Sequence, residues 1–244
     1  MRGFSILALR TLTVLLVAGC LPFFAHAGSA QQHSADSAFE SAVKAFNEGK
    51  LEEAERLADA AEKANPKKPD IPNLRGAIFA KQKRYSEAAE QFNSALARDP
   101  NFYQAKLNLA EVNLQQGKYA ESGQLYEELQ KIDPASELLQ FKLILCALLL
   151  GDANKASTMA DVMKFPGKTP AYYYARAAIA LKRGNKESAQ KYFENVRKYY
   201  SDEQCAYFSR SLKDLALVST KPDAATQTEG PPAKNPDSPT KPPE

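Results

Sequence analysis

Few side chains in these 244 residues could do chemistry, and their spacing does not assemble them into a site. The two histidines, His26 and His33, lie close to the N-terminus, and only His33 follows the candidate leader. That removes His-based triads, zincin motifs and most zinc sites. Gly167-Lys168-Thr169 has the ending of a phosphate-binding loop. The first glycine of that motif would fall at position 162, which is Val162, and no strand pattern precedes it. Neither G-x-S-x-G nor G-x-G-x-x-G occurs. The carboxylate pairs Glu52/Glu53 and Glu127/Glu128 are of a kind that acid–base catalysis uses. Both fall on solvent-facing positions of second helices, where charge serves solubility. The reading is a protein with no catalytic residues, no metal and no cofactor.

The elements that must position any functional side chain are repeats. Gly49, Gly117 and Gly151 sit at multiples of 34 from one another, and Gly184 follows after 33. Ala54, Ala88, Ser122, Ala156 and Ala189 repeat at 34, 34, 34 and 33, and Pro66, Pro100 and Pro134 at 34 and 34. Three residue classes sharing one period mean stacked, similar units. Five can be written: 35–68, 69–102, 103–136, 137–170 and about 170–202, each two helices and a turn. In the second, Leu74–Gln82 forms the first helix and Ser86, a candidate cap, opens the second. Asp99-Pro100 ends it, because proline disfavours helical geometry in the residue before it. The glycines suit a helix end that needs positive φ. Lys83 replaces the glycine in the second unit, so strain is expected there.

Residues 201–218 read as one more helix, capped by Ser201-Asp202, with Cys205, Phe208, Leu212 and Leu215 as its apolar stripe. It is expected to close the exposed end of the stack, with a partner-binding amphipathic helix as the other reading. From 219 to 244 the composition changes: seven of the 15 prolines lie there and no aromatic residue does, so a disordered tail is expected.

The pattern resembles the tetratricopeptide repeat. The second unit supplies Gly76, Ala88, Phe92, Ala95 and Pro100; the third, Ala110, Gly117, Tyr126 and Pro134; the fifth, Ala177, Gly184, Ala189 and Phe193. No unit has the family's large first-helix Trp, and the fourth has Phe165-Pro166-Gly167 in place of Asp-Pro. The resemblance implies an all-α fold, a right-handed α-solenoid of about five helix-turn-helix units over 35–200 with the C-terminal helix as its cap. It also implies a concave surface, lined by the first helices, that grips peptides or partner helices. The family's offsets give Phe39, Val43 and Phe46 in the first unit, and Asn73 and Ala77 in the second. They give Leu107, Asn108 and Glu111 in the third, Phe141, Lys142 and Leu145 in the fourth, and Tyr174 and Ala178 in the fifth. Members that clamp a C-terminal carboxylate have Lys and Asn where this chain has Phe39 and Val43, which disfavours that mode. An apolar lining suits an amphipathic helix or hydrophobic peptide. Burial of part of the stripe by the leader, by the superhelix's own curvature or by self-association is the alternative. Leu143 to Leu150 is apolar on all sides, so some of it must face a surface other than its own unit.

Residues 1–27 have the form of a signal peptide: Arg2 and Arg10, an uncharged apolar run from Thr11 to Phe24, and Ala25-His26-Ala27 as the cleavage site. Residues 28–34 are then a flexible leader. The protein is expected to be exported, periplasmic or secreted. Val17-Ala18-Gly19-Cys20 also resembles a bacterial lipobox, and lipid on Cys20 would make it membrane-anchored. Two readings follow. One is an envelope scaffold without catalysis that binds a protein or peptide partner. The other is a membrane-tethered assembly factor resembling pilus pilotins or outer-membrane assembly lipoproteins. After the leader, Cys146 and Cys205 lie on elements too far apart for a bridge and read as small buried hydrophobes. Without Arg2 and Arg10 the charge is +1, which gives no reason to expect nucleic acid. Residues 36–62 carry net −5 and 176–198 net +5, read as solvated helix faces.

Overall fold

The computed structural model describes residues 27–217. The proposed signal peptide lies outside them except for Ala27, as do Cys20 and the proline-rich tail. Among the described residues there are eleven α-helices and no strand. They form the hairpins α1(Ala27–Asn47)/α2(Leu51–Ala64), α3(Asp70–Lys81)/α4(Tyr85–Arg98), α5(Tyr103–Gln115)/α6(Tyr119–Ile132), α7(Glu137–Leu149)/α8(Ala153–Asp161) and α9(Ala171–Lys182)/α10(Lys186–Val196), followed by α11(Asp202–Asp214). The chain divides into two compact parts, one ending at Phe102 and one beginning at Tyr103. The first holds two hairpins. The second holds three hairpins and α11.

One turn, made five times, sets the hairpins. Gly49, Lys83, Gly117, Gly151 and Gly184 have φ of 78°, 62°, 77°, 88° and 76°. At each, the following residue's N–H reaches back to a carbonyl five residues earlier, as Lys50 does to Ala45 and Arg84 to Phe79, both at 2.9 Å. The left-handed residue itself donates to a carbonyl three back, Gly49 to Phe46 at 3.1 Å and Lys83 to Ala80 at 3.0 Å. This pair of bonds satisfies carbonyls that the ending helix leaves unpaired. Lys83 is therefore held in a conformation that a side chain disfavours. Each second helix of the first three hairpins ends where the sequence places it. Asn65, Asp99 and Asp133, each before a proline, have φ of −140°, −140° and −127°.

The small residues at the common period sit where the two helices of a hairpin touch. Ala54, Ala88, Ser122 and Ala156 are fully buried and Ala189 nearly so. Ser122 keeps its place by donating its hydroxyl to the Ala110 carbonyl at 2.8 Å. Gly76 shows how tight the contact is: a Cβ there would come within 2.5 Å of the Phe92 ring. The joint after α8 is built differently. Phe165–Pro166 is cis, Gly167 has φ 85°, and the loop wraps the Glu137 carboxylate.

Three expectations need correction. Residues 28–34 are helical, the first turns of a 21-residue α1. Beyond Gly28 that stretch has no helix breaker, and Ala30, Gln31 and Gln32 favour the helix. Ser86 is not the cap of α4, which starts one residue earlier with Arg84 at the cap position. The tight turn at Lys83 already delivers the chain in helical register. The stripe of α11 does not close the end of a stack; it lies across the inner faces of α9, α7 and α5, as described below.

Gly76→Ala is expected to destabilise the protein by about 1–3 kcal/mol through overpacking. Lys83→Gly is expected to stabilise it by about 1 kcal/mol by releasing the left-handed strain. Urea denaturation of both variants checks the opposite signs; equal signs would refute this account of the turn and the contact.

Candidate functional site

The groove residues fall on both compact parts. In the first, Phe39, Val43 and Phe46 on α1 and Asn73 and Ala77 on α3 are all half-buried. Two lysines lie over the aromatic rings: the Lys68 ammonium is 4.5 Å from the Phe39 centroid and the Lys81 ammonium 4.7 Å from that of Phe46. Lys81 also approaches the Phe46 carbonyl at 3.4 Å. This face is thus aromatic and cationic, less purely apolar than the spacing of its hydrophobic residues suggests.

In the second part the inner faces of α5, α7 and α9 carry Leu107, Asn108 and Glu111, then Phe141, Lys142 and Leu145, then Tyr174 and Ala178. Leu107 is half-buried, and Asn108 accepts a hydrogen bond from Gln104 at 2.9 Å. Phe141, Leu145 and Ala178 are fully buried, and Tyr174 nearly so. What covers this surface is α11. Phe208 stands between two groove rings, 5.1 Å from Phe141 edge-on and 5.7 Å from Tyr174 in a stacked arrangement. Cys205 and Leu212 are buried in the same cluster. The helix forms here because Ser201 caps it through a full capping box with Gln204. Its apolar positions at 205, 208 and 212 then share one face.

The interface contains a buried charge. Lys142 is only 1% exposed, inside a helix otherwise apolar along its middle. Its ammonium donates to Glu111 Oε1 at 2.7 Å and to Ser211 Oγ at 3.0 Å, and lies 4.9 Å from the centre of the Tyr207 ring. Glu111 Oε2 accepts from the Tyr126 hydroxyl at 2.9 Å and the Tyr207 hydroxyl at 3.3 Å. Three hairpin helices and α11 meet at this carboxylate. Burial alone would pull the Lys142 ammonium down; Glu111 and Tyr207 outweigh it and hold it above the ordinary lysine value. Burial, then Glu111, pushes the Tyr126 phenol well up.

Tyr207, Phe208, Ser211 and Tyr126 were not in the groove read from the sequence. The signal was Lys142 itself: a lysine within an all-apolar run demands a carboxylate and further acceptors. The phosphate-loop look-alike is also explained. The Lys168 and Thr169 amides both donate to the Glu137 carboxylate at 2.7 Å, and the Thr169 hydroxyl does so at 2.6 Å. The chain's own carboxylate fills this small cradle of amides. Glu52, Glu53, Glu127 and Glu128 are exposed. Cys146 and Cys205 are free and buried, and burial pushes the Cys146 thiol up to about 11. Among the described residues, no cluster of three or more His, Cys, Asp or Glu could hold a metal, and no helix is long and apolar enough to cross a membrane.

The charge pair should respond asymmetrically. Glu111→Ala strands a fully buried ammonium and is expected to cost about 3–5 kcal/mol. Lys142→Met leaves a carboxylate that is 33% exposed and keeps two tyrosine donors, so its cost should be clearly smaller. Because the Lys142 value is raised on folding, its contribution is complete below the ordinary lysine value and is lost as pH rises through the raised one. Stability above roughly pH 10 should therefore fall more steeply in the parent than in Lys142→Met. Denaturant melts across pH measure both; equal costs or parallel alkaline slopes would contradict the network.

A sequence profile described as Tetratricopeptide repeat matches residues 39–101 and 84–137. None of the curated proteins matches the sequence significantly. Among solved structures, MamA (residues 41 to the end) from Desulfovibrio magneticus RS-1 is 18% identical with a TM-score of 0.59, over 73% of this chain and 96% of that one. The thermophilic TPR protein TTC0263 from Thermus thermophilus is 18% identical with a TM-score of 0.55, over 73% and 99%. A tetratricopeptide repeat protein from Parabacteroides merdae is 20% identical with a TM-score of 0.54, over 74% and 69%. At these identities the structures speak to the fold, and they agree with the profile and with the five repeated turns. Residues 39–137 carry tetratricopeptide repeats, and the described residues share the fold of tetratricopeptide repeat structures.

Proposed function

We propose that the chain is an interaction module without catalysis that holds a peptide or helix of a partner protein on the inner face of its first helices. Repeat proteins of this family generally use such surfaces to bind other proteins. The observation that carries the reading is α11 itself: an amphipathic helix lies on the inner faces of α5, α7 and α9 with an aromatic anchor between Phe141 and Tyr174. A surface that accepts one such helix has the shape and chemistry for another. The leader supports placing the module in the cell envelope. Cys20 supports the tethered variant of the same role, and the intact mass of the purified protein separates cleavage after Ala27 from lipid on Cys20.

The test is photo-crosslinking in the native cell, with the crosslinker placed at Phe46, Ala77 or Tyr207, and at Glu53 and Glu121 on exposed second-helix positions as controls. A discrete protein adduct from the inner positions and none from the controls is expected. Adducts only from the controls, or none anywhere, would sink the proposal.

A further inference from the structure

Three observations set α11 apart from an ordinary closing helix. Within each compact part a second helix packs on the first helix that follows it, as α2 does on α3, α6 on α7 and α8 on α9. After α10, by contrast, α11 rests on α9 and extends its side chains to α7 and α5. It buries Cys205, Phe208, Ser211 and Leu212 and leaves most of its surface in solvent. Its seat is mixed, with an apolar floor and a charged, hydroxyl-satisfied edge at Lys142 and Glu111. A permanent core gains little from such a buried pair, whereas a recognition surface uses it to choose its occupant. Arg197, Lys198 and Tyr199, between α10 and α11, are exposed.

We propose that α11 is an exchangeable occupant of this groove, and that the site it fills takes an amphipathic helix of a partner protein with the same face. That face carries a small apolar residue, an aromatic, a hydroxyl and a branched apolar residue at the positions of Cys205, Phe208, Ser211 and Leu212. The aromatic enters between Phe141 and Tyr174. The hydroxyl satisfies the Lys142 ammonium, which already has one carboxylate in Glu111 and needs a neutral acceptor beside it. This inference rests on the interaction reading above and adds to it the occupant's chemistry and its competition with α11.

The two buried thiols make the test possible in the full chain. Cys205 is on the docked face of α11, and Cys146 is inside α7. Thiol labelling in native buffer, read at each cysteine by mass spectrometry, should modify Cys205 about tenfold or more faster than Cys146, because local release exposes only the former. A synthetic peptide of residues 201–217 carrying Cys205→Ala should raise the Cys205 rate in a saturable way. The same peptide with Phe208→Ala or Ser211→Ala should need several-fold more. Tyr207→Phe in the chain, which removes one hydroxyl, should lower the half-saturating peptide concentration. Equal labelling of the two cysteines overturns the proposal, as does a Cys205 rate unchanged at about 1 mM peptide, the weak end of useful affinity. Cys205 protection that grows with chain concentration, alongside a dimer in sedimentation, would assign the groove to α11 of a second copy and overturn it too. These measurements need no cellular partner, so they can fail while the crosslinks succeed, and the reverse.

Discussion

Everything in this fold depends on how closely the two helices of a hairpin approach. That approach is set by a side chain of minimal size at one point on each second helix: Ala54, Ala88, Ser122, Ala156 and Ala189. A hairpin joined this tightly presents broad apolar flanks that it cannot cover itself, so neighbours must stack on it. The turn glycines and the prolines after α2, α4 and α6 are consequences of that geometry. They end each helix where the contact must end, and they return the chain to begin the next pair. Gly76 is the extreme case, where even a methyl group would meet the Phe92 ring.

Second in importance is the polar knot at Glu111. It joins α5, α6, α7 and α11 through one carboxylate, with Lys142, Tyr126 and Tyr207 all donating to it. The all-apolar appearance of α7 follows from its position: α6, α8 and α9 pack around it, and α11 lies over what remains. A helix covered on every side has no solvent face on which to place a charge. Its single lysine is therefore an internal component, fixed by geometry and neutralised locally.

The repeat, the hairpins, the left-handed turn at Lys83 and the capped α11 could all be read from the sequence, because each follows from a local rule about residue type and spacing. Phe141, Lys142, Leu145, Tyr174 and Ala178 could also be brought to one surface, since the family's offsets fix the inner face. That α11 covers that surface was not legible. Its stripe of Cys205, Phe208 and Leu212 is equally suited to an exposed stack end and to a groove, and the choice is made by contacts more than sixty residues apart, such as Lys142 with Ser211. The start of α1 was missed for a different reason. A leader ahead of a repeat and the first turns of a long helix can share one composition.

The loop around Glu137 bears on how such an array can change over evolutionary time. Repeat proteins grow and shrink by gaining or losing whole units, which works when each unit needs its neighbours only in a generic way. Glu137 opens α7, yet its carboxylate organises the segment that leads into α9, and the Tyr200 hydroxyl, just before α11, donates to the Pro166 and Gly167 carbonyls of that segment. The fourth hairpin, the fifth and the approach to α11 are thereby made specific to one another. Recombination could duplicate or remove a hairpin of the first compact part, but across this staple and the Glu111 knot the last three hairpins and α11 would have to be inherited as one piece.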